Sequence, residues 1–500
     1  FGAEIPVHAH HLAQIDKGTG IAMVSTWGDL TDVTWWRDLQ LPARAIIGRD
    51  GRILADPEAL EHFTEAGRAA YGEIVGLTPF SARKRMVELL REAGELIGEP
   101  TPLVHPVKFF EKGDKPLEVI STRQWYVANG ARDEALRARL IEAGKKIAFH
   151  PDHMRVRYEN WIGGLTGDWL ISRQRFFGVP IPVWYRIDEQ GERGEVLVPD
   201  EASLPVDPST DVPAGFTEDQ RGVPGGFEGD HDIMDTWATS SLTPQIAGGW
   251  ADDPELFDLV FPFDLRSQGQ DIIRTWLFST VLRAELESGT VPWGNAGISG
   301  FIVDPDRKKM SKSKGNVVTP AAMLDEHGSD AVRYWAASSR LGSDAAFDPQ
   351  NPKLMKIGRR LAIKVLNAAK FVHGFEASAD AAPTRALDLD LLAELAVVVR
   401  TATKAYEEYD HARALEATEQ FFWTFCDDYL ELVKERAYDQ DGADAAGRDS
   451  AVATLQLALN VLLRLLAPVI PFATEEVWRW THEGSVHLAP WPTIEEIGVS

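Results

Sequence analysis

Residues 308–316 read KKMSKSKGN, four lysines in nine residues of a 500-residue chain whose formal net charge is -25. Ser311, Ser313 and Gly315 favour an irregular loop, and the preceding GFIVD (300–304) has the apolar, β-branched character of a strand. Lysines on a loop that follows a parallel strand can fold over a bound polyphosphate and neutralise charge that develops on a leaving pyrophosphate. Charge alone also allows a solvated lysine loop, so the surroundings have to decide.

Composition sets the outer bounds. The length implies about three domains. An apolar fraction of 44% and a charged fraction of 25% are those of a soluble globular chain. The only cysteine is Cys426, which excludes an internal disulfide framework and a cysteine-rich zinc site and suits a reducing compartment. The acidic balance argues against nonspecific polyanion binding by the whole surface but leaves local basic patches possible. The most apolar stretch, ATLQLALNVLLRLLAPVIPF (453–472), is interrupted by Gln456, Asn460, Arg464 and two prolines, and reads as a buried helix. His8, His10 and His11, and separately His150 and His153, lie close in sequence, but no cysteine or acidic cluster accompanies them at ligand spacing, so no metal site is expected.

Three regions follow from the pattern of residues. In 1–100, IAMVST (21–26) alternates as a strand, GRDG (48–51) reads as a hairpin turn, and SARKRMVELLREAGEL (81–96) has helical spacing. Pro100, Pro102 and Pro106 mark a boundary. From 101 to 345, β-rich runs (LEVIS, DWLISRQ, IPVWYRI, GISGFIV) alternate with helical ones such as DIIRTWLFSTVLRAEL, the signature of an α/β domain with a parallel sheet; the Gly-, Pro- and acid-rich stretch 190–230 reads as a surface insertion. From 346 to 500 only the 3.6-residue apolar period remains, as in an antiparallel helix bundle.

Lys309-Met310-Ser311-Lys312-Ser313 matches in full the signature loop of the class I aminoacyl-tRNA synthetases, and the chain resembles that family over almost its whole length. GDWLISRQRFFGVPIPVWY (167–185) is similar to a block shared by the valine, isoleucine and leucine enzymes, DLRSQGQDIIRTW (264–276) resembles the active-site strand-to-helix segment, and HDIMDTWATSSLTPQ (231–245) follows the valine-activating members. RRLAIKVLNAAKF (359–371), FCDDYLELVKER (425–436) and APVIPFATEEVW (467–478) resemble the anticodon-binding bundle, and GTGIAMVSTWGDLTDVTWW (18–36) the second half of the β-rich editing domain.

The resemblance implies ATP-dependent activation of valine, transfer to tRNA(Val) and hydrolysis of mischarged threonyl-tRNA(Val), by a cytoplasmic monomer without a membrane anchor. Isoleucine, or a tRNA-binding or editing-only module, is the alternative. Lys309 and Lys312 would act on the phosphates of ATP, which brings its own Mg²⁺. Gly269, Asp271, Lys309, Ser311 and Lys312 would contact the adenylate, Asp271 through the ribose hydroxyls. Trp237 and Ile272 would wall the valine pocket, and Asp29 and Asp32 would serve editing; read without the resemblance, Asp29 and Asp32 are equally capping acids and Trp237 a core residue. No protein-bound zinc is expected.

Three residues depart from the family pattern: Ser267 and Gln270, where relatives often carry Pro and His, and Met23, where many carry Lys. The histidine signature of the first half of the nucleotide-binding fold is not among these residues, so the sequence reads as a piece that lacks an N-terminal part.

Overall fold

The computed structural model describes all residues except 26–29, 102–108, 110–116, 121, 311–316, 318 and 499–500. The chain divides into two compact units, Phe1–Gln124 and Trp125–Ser500.

In the first unit the helices Leu30–Asp38, Glu65–Gly72 and Pro79–Glu92 dominate. The last begins as its sequence dictates: Thr78 is the N-cap, its side chain accepting from the Ser81 N–H, and proline occupies the first turn. The GRDG turn is present, closed by the Gly48 N–H to the Arg52 carbonyl at 2.8 Å, with Ile47 bridged to Ile53. The expected strand at 21–26 is corrected: residues 21–25 take no strand conformation, and Thr26 lies outside the described residues. An extended segment becomes a strand only when a neighbour supplies ladder hydrogen bonds. Here Ile21 and Met23 stand exposed. LEVIS likewise forms no strand over 117–120, and its Ser121 is outside the described residues. Among the described residues, then, this unit is mostly helical, with the bridge of Ile47 to Ile53 and a bridge residue at Phe109 in place of strands.

The second unit is built on a parallel sheet of three strands, ordered Ala148–His150, Trp293–Ser299, Phe263–Gly269. Phe263–Gly269 leads through a helical crossover, ending in Phe278–Ser288, to Trp293–Ser299, the βαβ connection that parallel pairing requires. The crossover starts irregularly, with a 3₁₀ turn at Gln270–Ile272, a π turn at Ile273–Leu277, and then the α-helix. Its buried side holds Ile273, Trp276, Leu277 and Val281 in one core with Leu140, Tyr158, Trp293 and Ile298, and Trp276 stacks on Trp293 at 5.4 Å. A second parallel pair, Ile302–Val303 with Ala345–Ala346, follows directly. Glycine is required where they meet: a Cβ on Gly300 would lie 2.2 Å from the Ser343 carbonyl oxygen. The 190–230 stretch contributes Arg193–Leu197 and Phe227–Gly229, which flank Trp184–Ile187 in an antiparallel sheet.

The rest is helical, as the apolar period predicts: Lys353–Val372, Ala386–Glu407, His411–Thr424, Leu430–Tyr438, Ala445–Leu466 and Pro471–Trp478. They share a core of Leu361, Leu392, Phe422, Val433, Leu455 and Leu462, among others. The helix Ala445–Leu466 is long and apolar enough to cross a membrane, but 72% of its apolar window is buried inside the protein. Asp330 ties the α/β part to the bundle: its carboxylate accepts from the Phe472 and Ala473 N–H groups, at 3.1 and 2.8 Å, at the start of Pro471–Trp478. An anion there also complements the helix dipole.

Candidate active site

In an open α/β sheet, ligands bind beyond the carboxyl ends of the strands. Gly269 ends one strand of the parallel sheet, paired with Ser299 at the end of the central one. Gly269 is set by space: a Cβ there would come within 2.8 Å of the Asp271 carboxylate. Asp271 follows on the 3₁₀ turn, half-exposed.

The lysine segment returns to this point. Val303 and Lys309 form an antiparallel bridge, closing a hairpin held by the Asp304 N–H to the Lys308 carbonyl at 2.9 Å and the Lys308 N–H to Asp304 Oδ1 at 2.8 Å. Arg307 takes the left-handed conformation at its tip (φ 62°). Met310 packs into a small core with Met323, Ala331, Phe347 and Met355. Lys309 is thereby aimed at Asp271, with Nζ 3.4 Å from Oδ2 and 4.3 Å from the centre of the Phe301 ring. Both side chains are about half exposed, and an ion pair of that kind is worth about 0–1 kcal/mol, so a ligand can part it at little cost. Ser311 and Lys312 lie outside the described residues.

Gln270, the departure from the expected histidine, has a defined task. It is buried, and its Nε2 donates to Asp344 Oδ1 at 3.2 Å, while the same oxygen accepts from the Phe301 N–H at 2.8 Å. Asp344 thus clips the Asp271 turn to the strand that leads into the lysine hairpin. Within the strand, Arg266 lies 4.1 Å over the Trp276 ring, and burial draws its pKa below the usual arginine range.

Trp237 sits in the short helix Thr236–Ser240 and lines two cavities. One, of about 370 Å³, also has Arg175, Phe177, Val179, Ile233 and Met234 in its wall. The other, of about 450 Å³, has Trp161, Trp169, Arg274, Thr275 and Phe278. Ile272 lines neither; it packs, like Trp237, against the core behind the sheet. Ile233, Met234, Phe177 and Val179 are the apolar residues that share the smaller cavity with Trp237. The sequence signal for them was present in the same two blocks, but only pairing of Ser172–Arg173 with Ile233–Met234 brings those blocks together.

In the first unit, Asp32 lies in the first turn of Leu30–Asp38, and Asp29 is outside the described residues. A cavity of about 420 Å³ in the same unit is lined by His10, Met23, Trp35 and Arg44, among others, but not by Asp32. Among the described residues no three His, Cys, Asp or Glu side chains converge as a metal site. His10 instead meets Asp38 at 3.3 Å, and His150 meets Asn295 at 3.0 Å.

Comparison with known proteins agrees with this geometry. The tRNA synthetases class I (I, L, M and V) family matches residues 27–348, and the anticodon-binding domain of tRNA ligase matches 388–499. The valine–tRNA ligase of Leifsonia xyli is 68% identical over 505 residues, spanning 100% of this chain and 58% of its own length. That of Thermobifida fusca is 64% identical, over 99% of this chain and 56% of its own length. The chain therefore spans under three-fifths of these relatives. Among solved structures, a leucyl-tRNA synthetase from Agrobacterium radiobacter bound to tRNA superposes with a TM-score of 0.51 at 24% identity, covering 67% of this chain and 43% of that one. Methionyl-tRNA synthetase of Mycobacterium tuberculosis with methionyl-adenylate gives 0.51 at 21%, covering 69% and 60%. At those identities the likeness concerns the fold.

Proposed function

The chain belongs to the class I tRNA synthetases of the isoleucine, leucine, methionine and valine group, and from that premise we propose that it serves the ATP-dependent activation of valine and its transfer to tRNA(Val). The observation that carries the reading is the approach of Lys309 to Asp271 at the carboxyl ends of the parallel strands. In the first step the valine carboxylate attacks the α-phosphorus of ATP, valyl-adenylate forms and pyrophosphate leaves. The reaction asks for a cation at the leaving phosphates and an acceptor at the ribose. Lys309 supplies the first and, with Lys312 beside it in the loop, neutralises charge that grows in the transition state. Mg²⁺ enters with ATP as part of the substrate.

Asp271 accepts from the ribose hydroxyls once the nucleotide draws Lys309 away. Gly269, by lacking a Cβ, leaves room for that carboxylate. In the second step a hydroxyl of the terminal tRNA ribose attacks the adenylate carbonyl and AMP leaves. The helix bundle holds the anticodon arm. The valine side chain is walled by Trp237 and Ile272, and the smaller Trp237 cavity, which Ile233 and Phe177 also line, opens beside them.

Pyrophosphate exchange by the full-length enzyme with valine, isoleucine, leucine and threonine tests the reading. Valine is expected to give the highest kcat/KM, with threonine within about a hundredfold because an apolar pocket rejects an added hydroxyl poorly, a limit that comes from valine enzymes themselves. A preference for isoleucine or leucine would overturn the substrate assignment.

That weak rejection is the reason for an editing step, which we assign to Asp29 and Asp32 in the first unit. Asp32→Ala is expected to leave valine activation unchanged and to slow hydrolysis of added threonyl-tRNA(Val) by tenfold or more, since a charge-assisted hydrogen bond contributes about 1.5–3 kcal/mol. Deacylation at the parent rate would leave Asp32 as no more than an acid in the first turn of a helix.

A further inference from the structure

Trp237 stands between two cavities, and the proposed reaction uses only one of them. Trp237 packs against the core behind the sheet but stays only partly buried, since it also lines openings of about 370 and 450 Å³. Its own helix, Thr236–Ser240, is five residues long and cannot hold itself. Something else must set where the ring lies.

The structure supplies two anchors. At the end of the helix, Trp276 Nε1 donates to the Ser240 carbonyl at 2.9 Å. At its start stands Asp235, 7% exposed, whose Oδ1 accepts from the Trp237 N–H at 2.6 Å. Its other carboxylate oxygen, Oδ2, pairs with the Arg173 guanidinium. The Asp235 N–H is itself bonded to the Ile171 carbonyl, and Arg173 lies opposite Ile233 in the paired strands. Arg173, Asp235 and Trp237 are walls of both cavities. They form the partition between them.

We infer that Asp235, braced by Arg173, is the positioning residue that fixes the Trp237 partition and so sets the size limit of the amino-acid pocket. The inference rests on the pocket reading above and adds what that reading lacks, a reason why Trp237 does not yield. The second cavity is the space into which the ring would retreat. Retreat by the width of a methylene would admit isoleucine, and one methylene in an apolar pocket changes selection by roughly 10–200-fold.

The test is pyrophosphate exchange by the full-length enzyme with valine and with isoleucine, for the parent and for Asp235→Ala, Asp235→Asn and Arg173→Gln. Asp235→Ala is expected to raise KM for valine with little change in kcat, and to cut the valine-to-isoleucine ratio of kcat/KM by about tenfold or more. Asp235→Asn, which keeps the acceptor for the Trp237 N–H, is expected to recover part of that ratio. Thr275→Leu, which fills the second cavity from its far side, is expected to recover part of it in the Asp235→Ala background. A merely structural role would lower the yield of folded enzyme and leave KM and the ratio alone. Should Asp235→Ala fail to fold, Arg173→Gln carries the test, with a shift in the same direction. Trp237→Ala separates the two readings. If it alters selection while the Asp235 and Arg173 variants keep the parent KM and ratio, this inference is overturned and the pocket stands. If Trp237→Ala itself changes neither, the pocket reading falls and takes the inference with it.

Discussion

Lys309→Ala in the full-length enzyme is expected to slow valine-dependent pyrophosphate exchange by roughly 10²–10³, the effect of losing one preorganised charge contact of about 3–4 kcal/mol at a developing anion. The lysine already stands at the strand ends, 3.4 Å from Asp271, on a hairpin that fixes its backbone. Its loss should not touch stability, because the half-exposed pair contributes about 0–1 kcal/mol. An unchanged thermal midpoint alongside the lost rate would therefore place the effect in the transition state. Lys308→Ala is the internal control. Among the described residues its ammonium meets the exposed Asp306, at 3.5 Å, and its removal should cost less than about threefold. Lys309→Arg is not a neutral exchange, since a planar fork replaces a compact point charge. A fall of less than threefold for Lys309→Ala would remove it from the phosphate site. Lys312→Ala carries the same expectation from the sequence signature.

How much of this was legible beforehand depends on the range of each interaction. The bundle was readable because a 3.6-residue apolar period is local: KIGRRLAIKVLNAAKFV lies inside Lys353–Val372, and SAVATLQLALNVLLRLL inside Ala445–Leu466. Lys309, Gly269 and Asp271 could be named as candidates because each lies in a contiguous motif, and the structure brings Lys309 to Asp271. What escaped was every feature made by distant segments. Asp344 meets Gln270 across 74 positions, and no local pattern marks that bond. Ile233 and Phe177 reach one cavity through the pairing of two short strands, which no local pattern marks. The strand at 21–26 failed for a related reason: alternation states a preference, but the ladder needs a partner.

Asp388→Ala is expected to destabilise the helix bundle by about 3–5 kcal/mol, the usual result of removing one member of a buried ion pair. Asp388 is fully buried in the first turn of Ala386–Glu407. Its carboxylate accepts from Arg436 Nη1 and Nη2 at 2.7 and 2.6 Å, from the Tyr429 hydroxyl at 2.7 Å and from the Ser450 hydroxyl at 2.5 Å. The Ser450 oxygen in turn accepts from the Thr384 and Arg385 N–H groups, so one carboxylate joins three helices. Alanine would leave the Arg436 guanidinium without its counter-charge. The pH dependence has a definite sign. Burial pushes the Asp388 carboxyl up, but the bonds from Arg436, Ser450 and Tyr429 outweigh it and hold the net value below the ordinary carboxylate range. A depressed folded-state pKa gives stability that is complete above the unfolded value, near 3.9, and lost as the pH falls through the folded one. The difference in unfolding free energy between parent and Asp388→Asn, from urea titrations followed by far-UV circular dichroism, should therefore be level above about pH 5 and shrink below about pH 4. A difference that instead changed between pH 6 and 8 would mean that another group governs the network. A loss of under about 1 kcal/mol for Asp388→Ala would mean that the surrounding apolar core holds these helices without it.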